Sequence, residues 1–232
     1  MAITFVVSAS NNGNSASPSV TTPAGIQSGD VIIASIHGNG STPSITDNNG
    51  SNPFTDSGLG LREVNNTSAS TRIMYRVAGS SEPASYAWTL GESNRWTVII
   101  SVYRGVDTST IFDVAPSAAL ENKAIGVSPA SVATTDITTL TDGAEIIAIG
   151  LLDSASVTFT ATPGDSFNSR ENKSGQQLAA LADKLKTTAG LQSSVSWTQS
   201  SNVGWNAYIF SLKQAAAAST GTHIFGDEGL IA

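Results

Sequence analysis

The fold of this chain is decided by a five-residue stretch that occurs twice: Ser85–Thr89 reads Ser-Tyr-Ala-Trp-Thr, and Ser194–Thr198 reads Ser-Val-Ser-Trp-Thr. In each copy a second tryptophan follows the first after eight residues, at Trp96 and at Trp205. A long apolar segment of strand character then follows each second tryptophan. The repeat predicts two halves of similar structure.

Another pair of matching segments lies earlier in each half. Gly29–Ala34 reads Gly-Asp-Val-Ile-Ile-Ala, and Gly143–Ala148 reads Gly-Ala-Glu-Ile-Ile-Ala; the offsets between matched segments are 114 and 109 residues. The Leu and Ala content of Gln177–Lys186 favours a helix by propensity. On the register of the repeat, however, this segment overlaps the counterpart of Thr71–Ala78, which has a strand pattern. We therefore interpret it as a strand.

Apolar and β-branched runs bounded by Gly, Asn, Ser and Pro predict strands along most of the chain. The other predicted strands are Ile3–Val7, Asp30–His37, Thr71–Ala78, Tyr86–Leu90, Arg95–Arg104, Ser131–Thr139, Glu145–Leu152, Val157–Thr162, Ser193–Gln199 and Val203–Lys213. No linker separates the halves, and a sheet with one apolar face must bury that face. We expect an all-β, jelly-roll-like β-sandwich of two roughly four-stranded antiparallel sheets over residues 1–213; two separate domains are the alternative.

Composition excludes several classes of function. The chain of 232 residues carries 11 Lys and Arg against 18 Asp and Glu, so a net charge of −7 argues against nucleic-acid binding. It has no cysteine, which rules out disulfides and thiol chemistry. No apolar run approaches the ~20 residues of a membrane span. The segment Met1–Val7 lacks the basic start of a signal peptide, so we expect synthesis in a host cytoplasm without secretion.

The residues that could support catalysis or metal binding are few. The chain has two histidines, His37 and His223, whereas a zinc site usually needs three or four protein ligands. Asp47–Asn52 places oxygen atoms at alternate positions like a calcium loop, but Gly58 stands where such a loop has its bidentate Glu, and an Asn-Gly turn accounts for the segment better. No Gly-x-Ser-x-Gly motif is present. We expect no enzymatic activity, no cofactor and no metal site.

The four tryptophans allow two interpretations. A row of exposed indole rings would form a platform on which sugar rings stack. Trp96, however, is in phase with Val98 and Ile100 on one face of its predicted strand, which favours the core. Exposure of Trp88, Trp96, Trp197 and Trp205 would therefore support carbohydrate binding, and burial would support a structural role.

The C-terminal segment differs in composition from the rest of the chain. Residues 214–222 are rich in Ala, Ser and Thr, as in a flexible tether, and we assign 214–232 as a tail. The apolar residues beyond the tether are Ile224, Phe225, Leu230 and Ile231. Burying such a side chain is worth about 1.5–3 kcal/mol, while ordering each residue costs about 1–2 kcal/mol. We predict that these four residues anchor the chain to a neighbouring protein with the help of main-chain hydrogen bonds; a frayed end is the alternative.

Three stretches carry a resemblance to a known type of module. Tyr75–Thr89 reads Tyr-Arg-Val-Ala-Gly-Ser-Ser-Glu-Pro-Ala-Ser-Tyr-Ala-Trp-Thr, and Tyr103–Thr108 reads Tyr-Arg-Gly-Val-Asp-Thr. Together with Thr22–Val31 they resemble a recurrent β-sandwich module of tailed-bacteriophage virion proteins and bacterial surface proteins. The resemblance extends over about residues 3–213. It implies a component of a particle, and the family has no catalytic residues to transfer to this chain.

This resemblance leads to a functional hypothesis. We expect a capsid decoration, or cement, protein on the surface of a virion, with the major capsid protein or other virion proteins as partners. Decoration sites lie at local symmetry axes, so a homo-oligomer is expected, with a trimer favoured over a dimer. A carbohydrate-binding module for host attachment, with a glycan as ligand, is the alternative. An enzyme such as a glycan hydrolase is a third hypothesis, for which the sequence lacks a site signature.

Overall fold

The computed structural model of the protein describes residues 1–40, 44–50, 52–64, 69–124, 131–159 and 164–217, and these form an all-β fold. Helical residues in these ranges are confined to one 3₁₀ turn at Ala118–Leu120. None of the described helical structure has the length and hydrophobicity needed to span a membrane.

The described residues of the N-terminal half form nine strands. They are β1 (Thr4–Ser15), β2 (Ser19–Thr21), β3 (Val31–Asn39), β4 (Ile45–Asp47), β5 (Thr55–Asp56), β6 (Arg62–Val64), β7 (Ala69–Val77), β8 (Ser85–Leu90) and β9 (Asn94–Arg104). The strands of the C-terminal half are β10 (Phe112–Val114), β11 (Glu121–Ala124), β12 (Ser131–Ala133), β13 (Ile137–Thr139), β14 (Ala144–Leu152), β15 (Asn168–Lys173), β16 (Leu178–Lys186), β17 (Gly190–Gln192), β18 (Ser196–Thr198) and β19 (Trp205–Leu212).

Each half builds one six-stranded antiparallel sheet. The N-terminal sheet has the order β1-β9-β3-β7-β5, with β6 also paired to β7. The C-terminal sheet has the order β10-β19-β14-β16-β15, with β11 also paired to β19. The same order of long strands therefore occurs in both halves, as the sequence repeat predicts.

Strand register follows the repeat as well. Val31 pairs with Tyr103 in the first half, and Glu145 pairs with Leu212 in the second. The sequence offsets of 114 and 109 residues carry one pair onto the other. The segment with helical propensity forms β16 (Leu178–Lys186), so the interpretation as a strand is confirmed. Its neighbours in the sheet override its local propensity.

The two six-stranded sheets pack face to face, and we call the touching surfaces their inner faces. The shared core contains Ile33 and Ile99 from the first half and Ile147, Leu181 and Phe210 from the second. Because side chains alternate along a strand, the intervening residues point to the outer faces. The predicted all-β sandwich is confirmed by this packing.

Additional small sheets cover both outer faces, and the sequence analysis did not predict these layers. The three-stranded sheet β2-β8-β4 packs on the N-terminal sheet, and the pairs β12-β18 and β13-β17 pack on the C-terminal one. With six strands each, the large sheets are wider than the four-stranded sheets expected. Together with the small sheets on the two outer faces, they give an architecture of four layers. Of the predicted strands, Ser131–Thr139 is split between β12 and β13, and in Val157–Thr162 the described residues contribute one isolated bridge, from Phe159 to Gln199.

Glycines make room for the tryptophan rings inside these layers. Gly13 in β1 pairs with Trp96, and a Cβ atom at Gly13 would lie 2.6 Å from the Trp96 ring. In the second half, a Cβ atom at Gly150 would lie 3.0 Å from the Trp197 ring and 3.1 Å from that of Phe159. Both glycines are therefore required for close packing rather than for an unusual backbone conformation.

We predict that Gly13→Ala destabilises the protein by about 1–3 kcal/mol, because the added methyl group displaces the Trp96 ring from a packed site. The free energy of unfolding from denaturant titration measures the effect. Gly164→Ala is the matched control, since a Cβ atom at Gly164 meets nothing within 4 Å. Equal stability of the two variants would contradict the packing argument.

Candidate functional site

The predicted anchor residues Ile224, Phe225, Leu230 and Ile231 lie outside the described residues, so their role stays a prediction. The start of the tail is described to residue 217. Gln214 forms a β-bridge with Val106, and the amide of Ala215 donates a hydrogen bond of 2.9 Å to the Gly105 carbonyl. The tail was predicted to begin at residue 214, but residues 214 and 215 are still bonded to the sandwich.

All four tryptophans are buried, with exposed fractions of 0% for Trp88, 4% for Trp96, 2% for Trp197 and 4% for Trp205. Trp88 packs beside Phe54 with 5.3 Å between ring centroids, and Trp197 packs beside Phe159 at 5.7 Å. These rings belong to the outer cores between large and small sheets. The sugar-stacking platform is therefore wrong for these residues, and the interpretation as core is confirmed.

His37 lies in β3 on the inner face and has no exposed surface. Its Nδ1 atom is 2.7 Å from Thr71 Oγ1, and Nε2 lacks a hydrogen-bond partner among the described residues. Burial lowers the pKa of His37 from 6.5 to about 4, although the nearby Asp153 carboxylate acts in the opposite direction. A neutral imidazole enclosed between two sheets cannot reach a substrate, so the position is structural.

The segment with the calcium-like pattern is organised by its own hydrogen bonds. Asp47 Oδ2 accepts a bond of 3.0 Å from the Asn49 amide, and Asp47 Oδ1 accepts one of 3.1 Å from the Phe54 amide. The Asn49 side chain binds in turn to the backbone of Ala87 in β8. In the described part of the chain, no three His, Asp or Glu side chains form a group that could hold a metal ion.

Titratable side chains do converge at the interface between the two halves. One group, here called the Asp183 network, consists of Tyr103, Glu145, Arg170 and Asp183. The Tyr103 hydroxyl of β9 donates to Asp183 Oδ2 at 3.1 Å, and Arg170 Nε donates to both Asp183 oxygens at 2.8 and 2.9 Å. Burial raises the pKa of Asp183, with Arg170 acting against that rise.

Glu145 is the second carboxylic acid of this network, beside Asp183. It is 4% exposed and lies in β14 between Leu185 and Leu212 of the adjacent strands. Burial, followed by the Asp183 charge, raises the pKa of Glu145 from 4.5 to about 8, and the Arg170 charge only partly offsets this. Arg170 is already paired with Asp183, so the network holds two carboxylates and one cation. Glu145 is therefore largely protonated at neutral pH.

A second network, the Glu121 network, joins the halves at the opposite sheet edges. Arg62 of β6 donates through Nε to Glu121 Oε2 at 3.0 Å, and a second Arg62 nitrogen binds the same oxygen. Asn206 Nδ2 donates to Glu121 Oε1 at 2.5 Å, and the Tyr208 hydroxyl donates to it at 3.2 Å. The hydrogen bond to Glu121 raises the pKa of Arg62, while burial raises the pKa of Tyr208.

These networks serve to hold the halves together rather than to catalyse a reaction. Glu121 is 3% exposed at its side chain and Asp183 is 0% exposed, and both accept hydrogen bonds from several donors. A general acid or base must reach the proton that it transfers in a bound substrate. Both carboxylates are instead enclosed between sheets. Sequence reasoning missed the networks, although Asp183 interrupts the apolar inner face of β16 between Leu181 and Leu185.

Surface features are the remaining candidates for function. The outward side chains of the small sheets are mostly short hydroxyl residues, and the exposed ones are Thr21, Thr46, Ser85, Thr89, Ser131, Thr138, Ser196 and Thr198. Asp47, whose oxygens are bonded to amides, is the one charged residue in these strands. Two large apolar side chains are also exposed at the β13-β17 pair: Leu191 within β17, and Leu140 directly after β13. Both features are suited to contact with another macromolecule.

Comparison with known proteins adds no assignment: no protein-family model, no curated protein and no solved structure matches this chain.

We predict that raising the pH from 6.5 to 8 lowers the free energy of unfolding. Above its ordinary pKa of 6.5 His37 is neutral in both states, whereas the folded protein keeps the Glu145 proton that the unfolded chain has lost, so stability falls as pH rises. A tenfold change in proton affinity corresponds to about 1.4 kcal/mol, so the loss over this window is about 2 kcal/mol. Between pH 6.5 and 8, denaturant titrations of Glu145→Gln should show a flatter profile than the wild type and higher stability at pH 8. An unchanged slope in that window would contradict the assignment.

His37 should produce the opposite slope on the acid side. The unfolded chain binds a proton at His37 below pH 6.5, whereas the folded protein resists protonation until about pH 4, so stability falls as pH drops through this window. Glu145 masks part of this effect in the wild type, so we expect it most clearly in Glu145→Gln. Adding His37→Asn should remove the acid-side slope even if overall stability is lower. A slope that persists in the double variant would refute the assignment to His37.

Proposed function

We propose that this protein is a non-enzymatic structural component of a bacteriophage virion, a capsid decoration protein that binds and stabilises the head lattice. The observation that carries the proposal is the burial of the side chains that most often serve catalysis or ligand binding. Four tryptophans, His37, Asp183 and Glu121 are all enclosed in packing. This burial leaves the surface of the described residues for binding, which supports a structural role.

The composition of the outer faces supports docking onto a rigid partner. Short Ser and Thr side chains lose little rotamer freedom when a partner covers them, unlike Lys or Arg. They also avoid the desolvation penalty of unpaired charges. Strands hold these side chains in fixed positions on both outer faces of the molecule. Such faces are suited to contact with an ordered protein lattice.

The resemblance of Tyr75–Thr89 and Tyr103–Thr108 to a module of virion and surface proteins supports the same proposal. The alternative, a carbohydrate-binding attachment module, has lost its main support, because the four tryptophans are buried. We therefore retain the capsid lattice as the proposed partner. Oligomerisation, with a trimer favoured, and anchoring through Ile224, Phe225, Leu230 and Ile231 remain parts of the proposal.

The test is addition of the purified full-length chain to particles that lack it. We expect saturable binding and a rise in the temperature at which the particles release their genome. The variant Ile224→Ser/Phe225→Ser should bind at least tenfold more weakly, equivalent to about 1.4 kcal/mol, with an unchanged circular dichroism spectrum. Gly164→Ala is the control with intact anchor residues. Absence of the protein from purified virions by mass spectrometry would overturn the proposal.

A further inference from the structure

The exposed leucines form a defined feature next to the β13-β17 pair. Leu140 is 71% exposed and Leu191 is 61% exposed, which makes them the most exposed large hydrophobic side chains of the described residues apart from Met1. Leu191 pairs with Thr138, and Leu140 follows two residues after Thr138. Leu140 directly follows β13 (Ile137–Thr139), so both leucines lie at the same end of the β13-β17 pair. We call these two leucines the leucine corner.

The backbone of the leucine corner is fixed by buried groups. The Leu140 amide donates to Asp113 Oδ2 at 2.8 Å, and the Thr141 hydroxyl donates to Asp113 Oδ1 at 2.7 Å. Asp113 also accepts a hydrogen bond from Ser211 of β19 and is only 9% exposed. Leu191 is held in β17 by pairing with β13. Both leucines are thus pre-organised in exposed positions, so a partner that covers them orders little chain.

The tail of the chain begins close to this corner. The side chain of Gln214 lies over Gly143, since a Cβ atom there would be 1.8 Å from Gln214 Oε1. Gly143 is three residues from Leu140 and has a φ of +74°, a conformation that favours glycine. Fifteen residues, 218–232, continue beyond the described chain. An extended chain of this length can span up to about 50 Å.

The tail and the corner share apolar chemistry. The tail carries the apolar residues Ile224 and Phe225, then Asp227 and Glu228, then further apolar residues. At the corner, the Lys186 ammonium donates to the Leu191 carbonyl at 2.9 Å, and Asp142 accepts a hydrogen bond of 2.7 Å from the Ala189 amide, so charges of both signs are present. The match between tail and corner is therefore the apolar one.

We propose that the leucine corner of one copy receives segment 223–232 of a second copy. This inference rests on the proposed function, because it names the neighbouring protein that the tail binds. The uncharged residues 216–222 form a tether of seven residues. The chain's own leucine corner lies near Gly143, where the tail begins, so docking there would need only a short tether. A corner on a neighbouring molecule is farther away and requires the longer one. When each copy places its tail in the corner of the next copy, the contacts can close into a ring such as a trimer. When two copies exchange tails with each other, they form a dimer.

The test uses two full-length variants with complementary defects. The corner variant Leu140→Ser/Leu191→Ser keeps an intact tail, and the tail variant Phe225→Ser/Leu230→Ser keeps an intact corner. Light scattering over a concentration series should give an oligomer for the wild type and a monomer for each variant alone. An equimolar mixture should form heterodimers, since one intact corner meets one intact tail. Leu185→Ser, at a 38% exposed leucine outside the corner, is the control and should remain oligomeric.

Three results would overturn the inference: a monomeric wild type, a variant that still forms oligomers, or a mixture that stays monomeric at every concentration. A monomeric wild type whose unfolding free energy falls equally in both variants would indicate docking of the tail on its own corner. Far-UV circular dichroism checks that each variant is folded. Failure of oligomerisation is distinct from failure of the proposed function, because presence in the virion is measured separately.

Discussion

The central strands of both six-stranded sheets are buried on both faces, and the rest of the structure depends on this constraint. The central strands β3, β14 and β19 are buried along almost their whole length. Their inner faces meet each other, and their outer faces are covered by the small sheets. Strands in such a position must be apolar on both sides, which explains why Val31–Ile36 and Ile146–Leu152 read as nearly continuous apolar runs. It also explains why the rings of Trp96 and Trp197 require a glycine beside them.

Polar groups on the inner faces must find partners inside the molecule, because water is excluded there. The Asp183 and Glu121 networks satisfy this requirement near opposite edges of the interface, with Arg170 and Arg62 supplying the cations. A shift of one half against the other would break the hydrogen bond from Tyr103 to Asp183 and the ion pair of Arg62 with Glu121, whereas Arg170 and Asp183 belong to the same half. Leaving a buried carboxylate without its partners is costly, so these contacts align the two halves. Among the described residues Glu145 forms no ion pair, and it is accommodated mainly as the neutral acid.

The same constraint directs function to the surface. Side chains that often serve catalysis or ligand stacking are used for packing and for joining the halves. The described surface offers two hydroxyl-rich sheet faces and the leucine corner, which lies close to where the tail begins. A molecule with these properties can interact through several faces at once, which is what a component of a regular assembly requires. In the two proposals, the hydroxyl-rich faces contact the capsid lattice, and the leucine corner receives the tail of a second copy.

The sequence by itself determined the repeat, the all-β class and the phase of the long strands. Its register even assigned β16 (Leu178–Lys186) correctly against local helical propensity, and the phase of Trp96 with Val98 indicated burial. Only the tertiary structure decided where the short or polar strands form. An example is β15 (Asn168–Lys173), which forms by pairing with the edge of β16. It also decided that Tyr103 meets Asp183 and that Glu145 is buried beside the Asp183 charge. The physical reason is range: alternation along a strand determines which side chains share a face, whereas the partner of that face depends on packing between residues far apart in the chain.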